Sequence, residues 1–160
     1  MCIRDRKSFE DLSRKSECTV LVVSSSSAIP WNELREQARR ATSTSYAPYS
    51  HVTVGACAIT ADGRYVVGAN VENASYGLTL CAECSLVSDL ARLGGGRLLA
   101  VSIVAGDGQP IAPCGRCRQL LFEHGGNELL VDAGDGADPT PLRELLPGAF
   151  GPEDLGIRKS

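Results

Sequence analysis

Apolar positions along the chain alternate between a helical period and a strand period. Trp31, Leu34, Ala38 and Ala41 recur at three- and four-residue intervals and predict a helix. Pro30-Trp31-Asn32-Glu33-Leu34 opens it and a Thr/Ser cluster closes it. Tyr46-Ala47-Pro48-Tyr49-Ser50 reads as a loop. Small and β-branched residues from Val52 to Thr60 predict a buried strand. Asp62-Gly63 is a hairpin signal, and Tyr65 to Asn70 is the returning strand. Leu86, Val87, Leu90 and Leu93 carry a helical period through Leu80–Leu93, closed by Gly94-Gly95-Gly96. Arg97 to Ala105 is almost wholly apolar, which predicts a central strand. Pro113 to Glu123 is a second core helix, with proline near its start and Gly125-Gly126 beyond its end. Glu128 to Val131 reads as a short strand, and Asp135 to Pro141 as a loop, with or without a short edge strand. Leu142 to Leu146 reads as a last helical turn, followed by a tail. Strands alternating with helices predict an α/β layered domain, a mixed sheet covered by helices. No internal repeat interrupts the pattern.

The first 29 residues stand apart. Residues 1–17 mix acidic and basic side chains without period, and Thr19–Val23 is shorter than the apolar stretch a signal peptide needs. Residues 1–29 are therefore expected to be a disordered extension, 30–155 the domain, and 156–160 a C-terminal tail. Cys2 and Cys18 take no role.

Composition sharpens the class of function. The 160 residues suffice for one domain with a real core. Charged residues are 22% and hydrophobic ones 43%, which excludes a wholly disordered or fibrous chain. Sixteen basic against nineteen acidic side chains leave a net charge of −3, so there is no basic field for a nucleic-acid backbone. No apolar run approaches the ~20 residues of a membrane span. Seven cysteines are too sparse and too odd a number for a disulfide scaffold, yet four form close pairs, Cys81 with Cys84 and Cys114 with Cys117. With only two histidines, His51 and His124, in no metal-binding spacing, a transition-metal site must rest mainly on thiolates.

Cys81-Ala82-Glu83 opens one core helix and Pro113-Cys114-Gly115-Arg116-Cys117 opens the next. Each helix follows a strand, so both N-termini can lie at one edge of the sheet. Helix N-termini stabilise thiolates through free N–H groups and positive potential. Zinc suits three sulfur ligands with a water in the fourth position, and such a water ionises near neutral pH. Glu83, two residues from Cys81, is placed to take that proton and hand it to a substrate nitrogen.

A ligand-x-Glu followed later by Pro-Cys-x-x-Cys is the signature of zinc deaminases. Further matching stretches run through the chain: Tyr46-Ala-Pro-Tyr-Ser50, Val54-Gly55-Ala56, Asn70-Val71-Glu72-Asn73-Ala74-Ser75-Tyr76-Gly77, Cys117-Arg118-Gln119 and Leu145-Leu146-Pro147-Gly148-Ala149-Phe150. Over about residues 30 to 155 the chain resembles the homotetrameric, three-cysteine cytidine deaminases. The resemblance implies a three-layer cytidine-deaminase-like α/β fold and a zinc-dependent hydrolase of cytidine and deoxycytidine, cytoplasmic and serving pyrimidine salvage. It implies Cys81, Cys114 and Cys117 as Zn²⁺ ligands. Glu83 would shuttle protons while zinc-bound hydroxide adds to C4 and ammonia leaves. Asn70 and Glu72 would hydrogen-bond the sugar 3′-hydroxyl, and backbone groups around Ala82 would hold the base. Phe150 would reach into a neighbouring subunit's site. The partners implied are a nucleoside and further copies of the chain, with no nucleic acid and no membrane.

Two positions depart from that pattern. Val52 stands where many relatives carry Phe, and Cys84 where many carry Arg after the catalytic Glu. Zn²⁺ with three thiolates has net charge 2 − 3 = −1, so positive charge must come from Arg118 or Arg116 and the two helix N-termini. Arg118, directly after Cys117, is the favoured residue, with Gln119 beside it. Cys84 also opens a rival reading, a closed four-cysteine site. The 29 residues between Cys84 and Cys114 exceed the usual 15–20, and that site leaves Glu83 without a task. A redox reading of Cys114-x-x-Cys117 ignores Cys81 and Glu83. Within the superfamily, the Asn70–Asn73 stretch favours a nucleoside over a blasticidin-S-type substrate.

Overall fold

A computed structural model describes residues 29–156. Except for Ile29 and Gly156, the expected extension over 1–29 and the tail over 156–160 lie outside the described residues. The elements run α1 (Trp31–Ala41), β1 (Val54–Thr60), β2 (Tyr65–Ala69), α2 (Ala82–Arg92), β3 (Leu98–Ala105), α3 (Gly115–Gly125), β4 (Leu130–Val131), β5 (Thr140–Pro141) and α4 (Leu142–Leu145). The sheet order is β2-β1-β3-β4-β5, so β3 is central as its apolar run predicts. β1 pairs antiparallel with β2 and with β3, β3 pairs parallel with β4, and β4 antiparallel with β5. The sheet is mixed and flanked by helices, in three layers.

Alternation along the strands divides the core in two. Cys57, Ile59, Ala100 and Val104 meet Leu34 and Ala38 of α1 on one face. Ala56, Ala58, Val101 and Ile103 meet Leu86, Leu90 and Leu121 of α2 and α3 on the other. Ile59 pairs with Ala100 but Thr60 with Leu98, so Leu99 is an extra residue. This bulge reverses the parity, and Leu98 buries on the same face as Val101 and Ile103.

Two strand glycines set how closely the helices approach. A Cβ on Gly55 would lie 1.9 Å from the Ala38 carbonyl oxygen of α1. A Cβ on Gly68 would lie 2.3 Å from the Ala82 carbonyl oxygen and 2.3 Å from the Leu86 nitrogen of α2. Any larger residue at Gly68 would push away the turn that opens α2.

Topology then fixes where the helices begin. β2 and β3 are both antiparallel to β1, so they point the same way and end at the same sheet edge. α2 follows β2 and α3 follows β3, which brings both N-termini to that edge, as the sequence predicts. Both helices start slightly later than their apolar periods suggest. Leu80 bridges Val71 as extended chain, and Cys81 (ψ 160°) and Cys114 (ψ 164°) are extended residues preceding the first helical turns.

Candidate metal and substrate site

Each ligand-bearing segment is delivered by a short return of the chain. After β3, a turn at Asp107–Gly108 sends residues 109–112 back along the strand, with the Ala105 N–H on Gln109 O at 3.0 Å and the Ile111 N–H on Ile103 O at 2.8 Å. After β2, Val71 and Leu80 exchange two hydrogen bonds of 2.9 Å. The chain thus arrives at Cys114 and at Cys81 from two directions and turns into helix at each.

The Sγ atoms of Cys81, Cys114 and Cys117 all lie within 4.8 Å of one another. Cys81 and Cys114 sulfurs are 3.9 Å apart. That is far beyond a disulfide bond. It matches the edge of a tetrahedron about 3.8 Å long that a Zn–S distance of 2.3 Å requires. Among the described residues Cys84 is outside this group; its sulfur accepts a hydrogen bond from Arg116 Nη2 at 3.3 Å. The geometry is that of a three-sulfur set, and a closed four-cysteine site is not formed.

Electrostatics make the same point. The Cys117 backbone N–H holds the Cys114 thiol below its ordinary range. Burial pushes the Cys81 thiol up. Burial and then the Glu83 charge push the Cys117 thiol up more strongly. Glu83 itself is 3% exposed, and burial raises its carboxyl above the usual range against the lowering effects of its own N–H and the Cys117 thiol. Without a cation, burial disfavours the charged forms of Cys81, Cys117 and Glu83, and a divalent cation held by the three sulfurs would supply the charge that lets them ionise.

In front of the sulfurs lies a cleft of about 200 Å³. Asn70, Cys81, Ala82, Glu83 and Cys114 line it, together with Thr79, Leu80, Ile103 and Ile111. The last four are not singled out by the sequence. They come from three separate segments, and no local period marks them as walls of one cavity. A hollow of about 410 Å³ lined by Tyr49, Ser50, Glu72 and Tyr76 adjoins the cleft, sharing Thr79 with it.

Asn70 and Glu72 already hold the loop before β1. Asn70 Oδ1 accepts from the Val54 N–H at 2.8 Å, and its Nδ2 donates to Val52 O at 2.9 Å. Glu72 accepts from the N–H groups of Tyr49 (2.9 Å) and Ser50 (3.2 Å) and from the Ser50 hydroxyl. These bonds, the Ser50 hydroxyl foremost, keep its carboxyl below the usual range and hence ionised. Asn70 retains a second N–H and Glu72 further lone pairs for a ligand hydroxyl. Val52 is exposed in that loop and lines neither cavity.

Three expected site residues lie away from the cleft. Arg118 donates from Nε to Pro113 O at 2.9 Å and from Nη1 to Leu145 O at 2.8 Å. Gln119 Nε2 donates to Phe150 O at 2.8 Å. The two side chains tie the segment from Leu145 to Phe150 onto α3. Phe150, 59% exposed, does not line the cleft of its own chain.

Residues 31–132 match the family model described as the cytidine and deoxycytidylate deaminase zinc-binding region. A cytidine deaminase of Mycobacterium tuberculosis is 56% identical over 127 residues, 79% of this chain and 94% of that protein. The crystal structure of cytidine deaminase from Mycobacterium tuberculosis superposes with TM-score 0.74 at 56% identity, covering 78% of this chain and 99% of that one. The structure of cytidine deaminase from Mycobacterium leprae gives TM-score 0.72 at 51% identity, covering 75% and 99%.

Proposed function

The chain belongs to the cytidine deaminases, zinc-dependent hydrolases that release the cytidine amino group as ammonia, and on that premise we propose how its own residues carry the reaction. The observation that carries the reading is the convergence of three cysteine sulfurs and one buried carboxylate at the head of a cleft.

Cys81, Cys114 and Cys117 hold the zinc. Bound there, Zn²⁺ supplies the Lewis acidity that makes water a competent nucleophile at neutral pH. Glu83 moves the protons. Its carboxylate takes one from the attacking water as the C4–O bond forms and places it on the ring N3. It then carries the second to the 4-amino nitrogen as the C4–N bond breaks, so that ammonia departs and the uracil carbonyl remains. Burial suits it to this work, because a desolvated carboxylate both accepts and returns a proton readily. Backbone groups around Ala82 hold the base. Asn70 donates its remaining N–H to the sugar 3′-hydroxyl and the Glu72 carboxylate accepts from it, a contact common to cytidine and deoxycytidine. Because the same two side chains clamp residues 49–54, the sugar site and the loop beside it form as one unit.

The assembly is a homotetramer, with Phe150 packing on the pyrimidine in a neighbouring subunit's site. An exposed phenyl ring whose carbonyl is fixed by Gln119, together with Tyr76 and Leu78 exposed near the hollow, supports an apolar surface shared between copies. Arg118 and Gln119 serve by positioning that segment. The catalytic unit is residues 30–155, with 156–160 a tail. The enzyme works in the cytoplasm, in pyrimidine salvage, on free nucleosides. Among the described residues no helix is long and apolar enough to cross a membrane.

Ultraviolet absorbance tests the activity directly. Zinc-loaded protein is expected to convert the cytosine spectrum of cytidine to that of uracil, and chelator-stripped protein to leave it unchanged. A zinc-loaded chain that leaves the spectrum of both nucleosides unchanged would overturn the reading. Phe150→Ala tests the shared site. It is expected to raise KM about tenfold, the scale of one buried aromatic contact, with zinc content intact. Unchanged kinetics would remove Phe150 from the neighbouring site.

A further inference from the structure

We propose that Arg116 is the positioning residue of the zinc site, laying one guanidinium across the turn that carries Cys81 and supplying the positive charge that three thiolates lack. The inference rests on the assignment of Cys81, Cys114 and Cys117 as the zinc ligands.

Two arginines are close enough in sequence to serve. Arg118 follows a ligand directly, but its Nε and Nη1 donate to the carbonyls of Pro113 and Leu145. Those bonds aim the side chain at the C-terminal segment. Arg116 sits between the ligands Cys114 and Cys117 on α3 and reaches across to α2. Its Nη2 donates to Cys84 Sγ at 3.3 Å and its Nη1 to Thr79 O at 3.4 Å. Thr79 stands two residues before Cys81, and Cys84 three residues after it. The guanidinium therefore brackets the Cys81 turn from both sides.

The bracket has two consequences. First, it fastens the start of α3, with two ligands, to the start of α2, with the third. A planar fork can hold both acceptors together, which a single ammonium cannot do in the same geometry. Second, it puts a permanent positive charge beside a ligand set whose net charge with Zn²⁺ is −1. The buried Glu83 carboxylate adds to the need for that charge. The two helix N-termini contribute partial charges in the same direction. Arg116 adds a whole charge, screened in part because the side chain is exposed in the groove between α2 and α3.

The test is zinc affinity, read by competition with a chromophoric chelator, on the full chain. Arg116→Ala is expected to bind zinc about tenfold more weakly, the lower end of the cost of removing an outer partner of a ligand set. Because the effect is electrostatic, the gap from wild type should narrow as ionic strength rises. Arg116→Lys keeps the charge without the fork and is expected to recover part of the loss. Moving the guanidinium to the other partner of the contact, with Cys84→Arg on the Arg116→Ala background, should recover it too. Arg118→Gln should leave zinc affinity at the wild-type level and instead loosen the Leu145–Phe150 segment. Wild-type affinity in Arg116→Ala, a salt-independent gap that Lys does not narrow, or a zinc loss confined to Arg118→Gln would each overturn the assignment. A wild-type chain that binds no zinc would overturn the three-thiolate reading itself, and so is told apart from the other failures.

Discussion

Glu83→Gln is expected to lower kcat on cytidine by about 10²–10⁴-fold while zinc content and fold stay intact. Glu83 lies in the first turn of α2, two residues beyond Cys81, and is 3% exposed. It is outside the sulfur group, so its loss removes no metal ligand. Glutamine has the same shape, fills the same space and can still hydrogen-bond to water or base. It also removes a buried negative charge, so folding should not suffer. What it cannot do is accept a proton and return it. On the proposed mechanism each turnover takes two proton transfers through this one side chain, so the loss should fall on kcat, with KM changed far less. Zinc per chain is measured on the same preparations. A variant within tenfold of wild type in kcat, at equal zinc, would take the proton-carrying role from Glu83.

Much of this site is legible in the sequence because its chemistry is local. Cys81, Glu83, Cys114 and Cys117 fall within the opening residues of two helices, and each helix announces itself by its apolar period and its closing glycines. The alternation of strands and helices gives the layered α/β class, and the even apolar run of Leu98–Ala105 marks the central strand. The remainder depends on pairings that leave no local trace. The bulge at Leu99 turns one strand face over and is invisible without its partner strand. Gly55 and Gly68 read as ordinary strand residues until helix backbone is found where their Cβ atoms would be. Arg116 and Arg118 flank Cys117 equally in sequence, yet Arg118 bonds Leu145, 27 positions away, while Arg116 reaches Thr79, 37 positions away. Asn70 and Glu72 stand in a recognisable motif, but their hold on residues 49–54 follows only from how β2 continues beside that loop.

The same long-range logic yields the largest expected effect on stability, at Asp132. Its side chain is 2% exposed, at the end of β4, and Arg35 of α1 meets it from 97 residues away with two hydrogen bonds of 2.7 Å. The Ser102 hydroxyl donates to Oδ2 at 2.7 Å and the Gly134 N–H to Oδ1 at 3.0 Å. Asp135 also meets Arg35 at the surface. Burial pushes the Asp132 carboxyl up, but the bonds from Arg35, Gly134 and Ser102 and the Arg35 charge outweigh it and leave it below the usual range. Asp132→Asn keeps the volume and removes the charge. Its amide nitrogen must then face the guanidinium together with either the Ser102 hydroxyl or the Gly134 N–H, and Arg35 keeps its charge with a single exposed partner. Breaking one side of a buried pair costs about 3–5 kcal/mol. The lower figure applies here because Arg35 remains 20% exposed. Urea unfolding at pH 7 and fixed protein concentration should therefore show Asp132→Asn about 3 kcal/mol less stable than wild type. The pH dependence has a definite sign. A carboxyl lowered by folding stabilises fully above its unfolded pKa of about 3.9, and that stability is lost as pH falls through the folded value. Wild type should thus lose stability below about pH 4, and Asp132→Asn should lack that part of the acid limb, so the two curves converge in acid. A difference at pH 7 under about 1 kcal/mol would show that the Arg35–Asp132 pair adds little to the apolar packing of α1 on the sheet, and a gap that persists undiminished in acid would show that the loss does not come from the Asp132 charge.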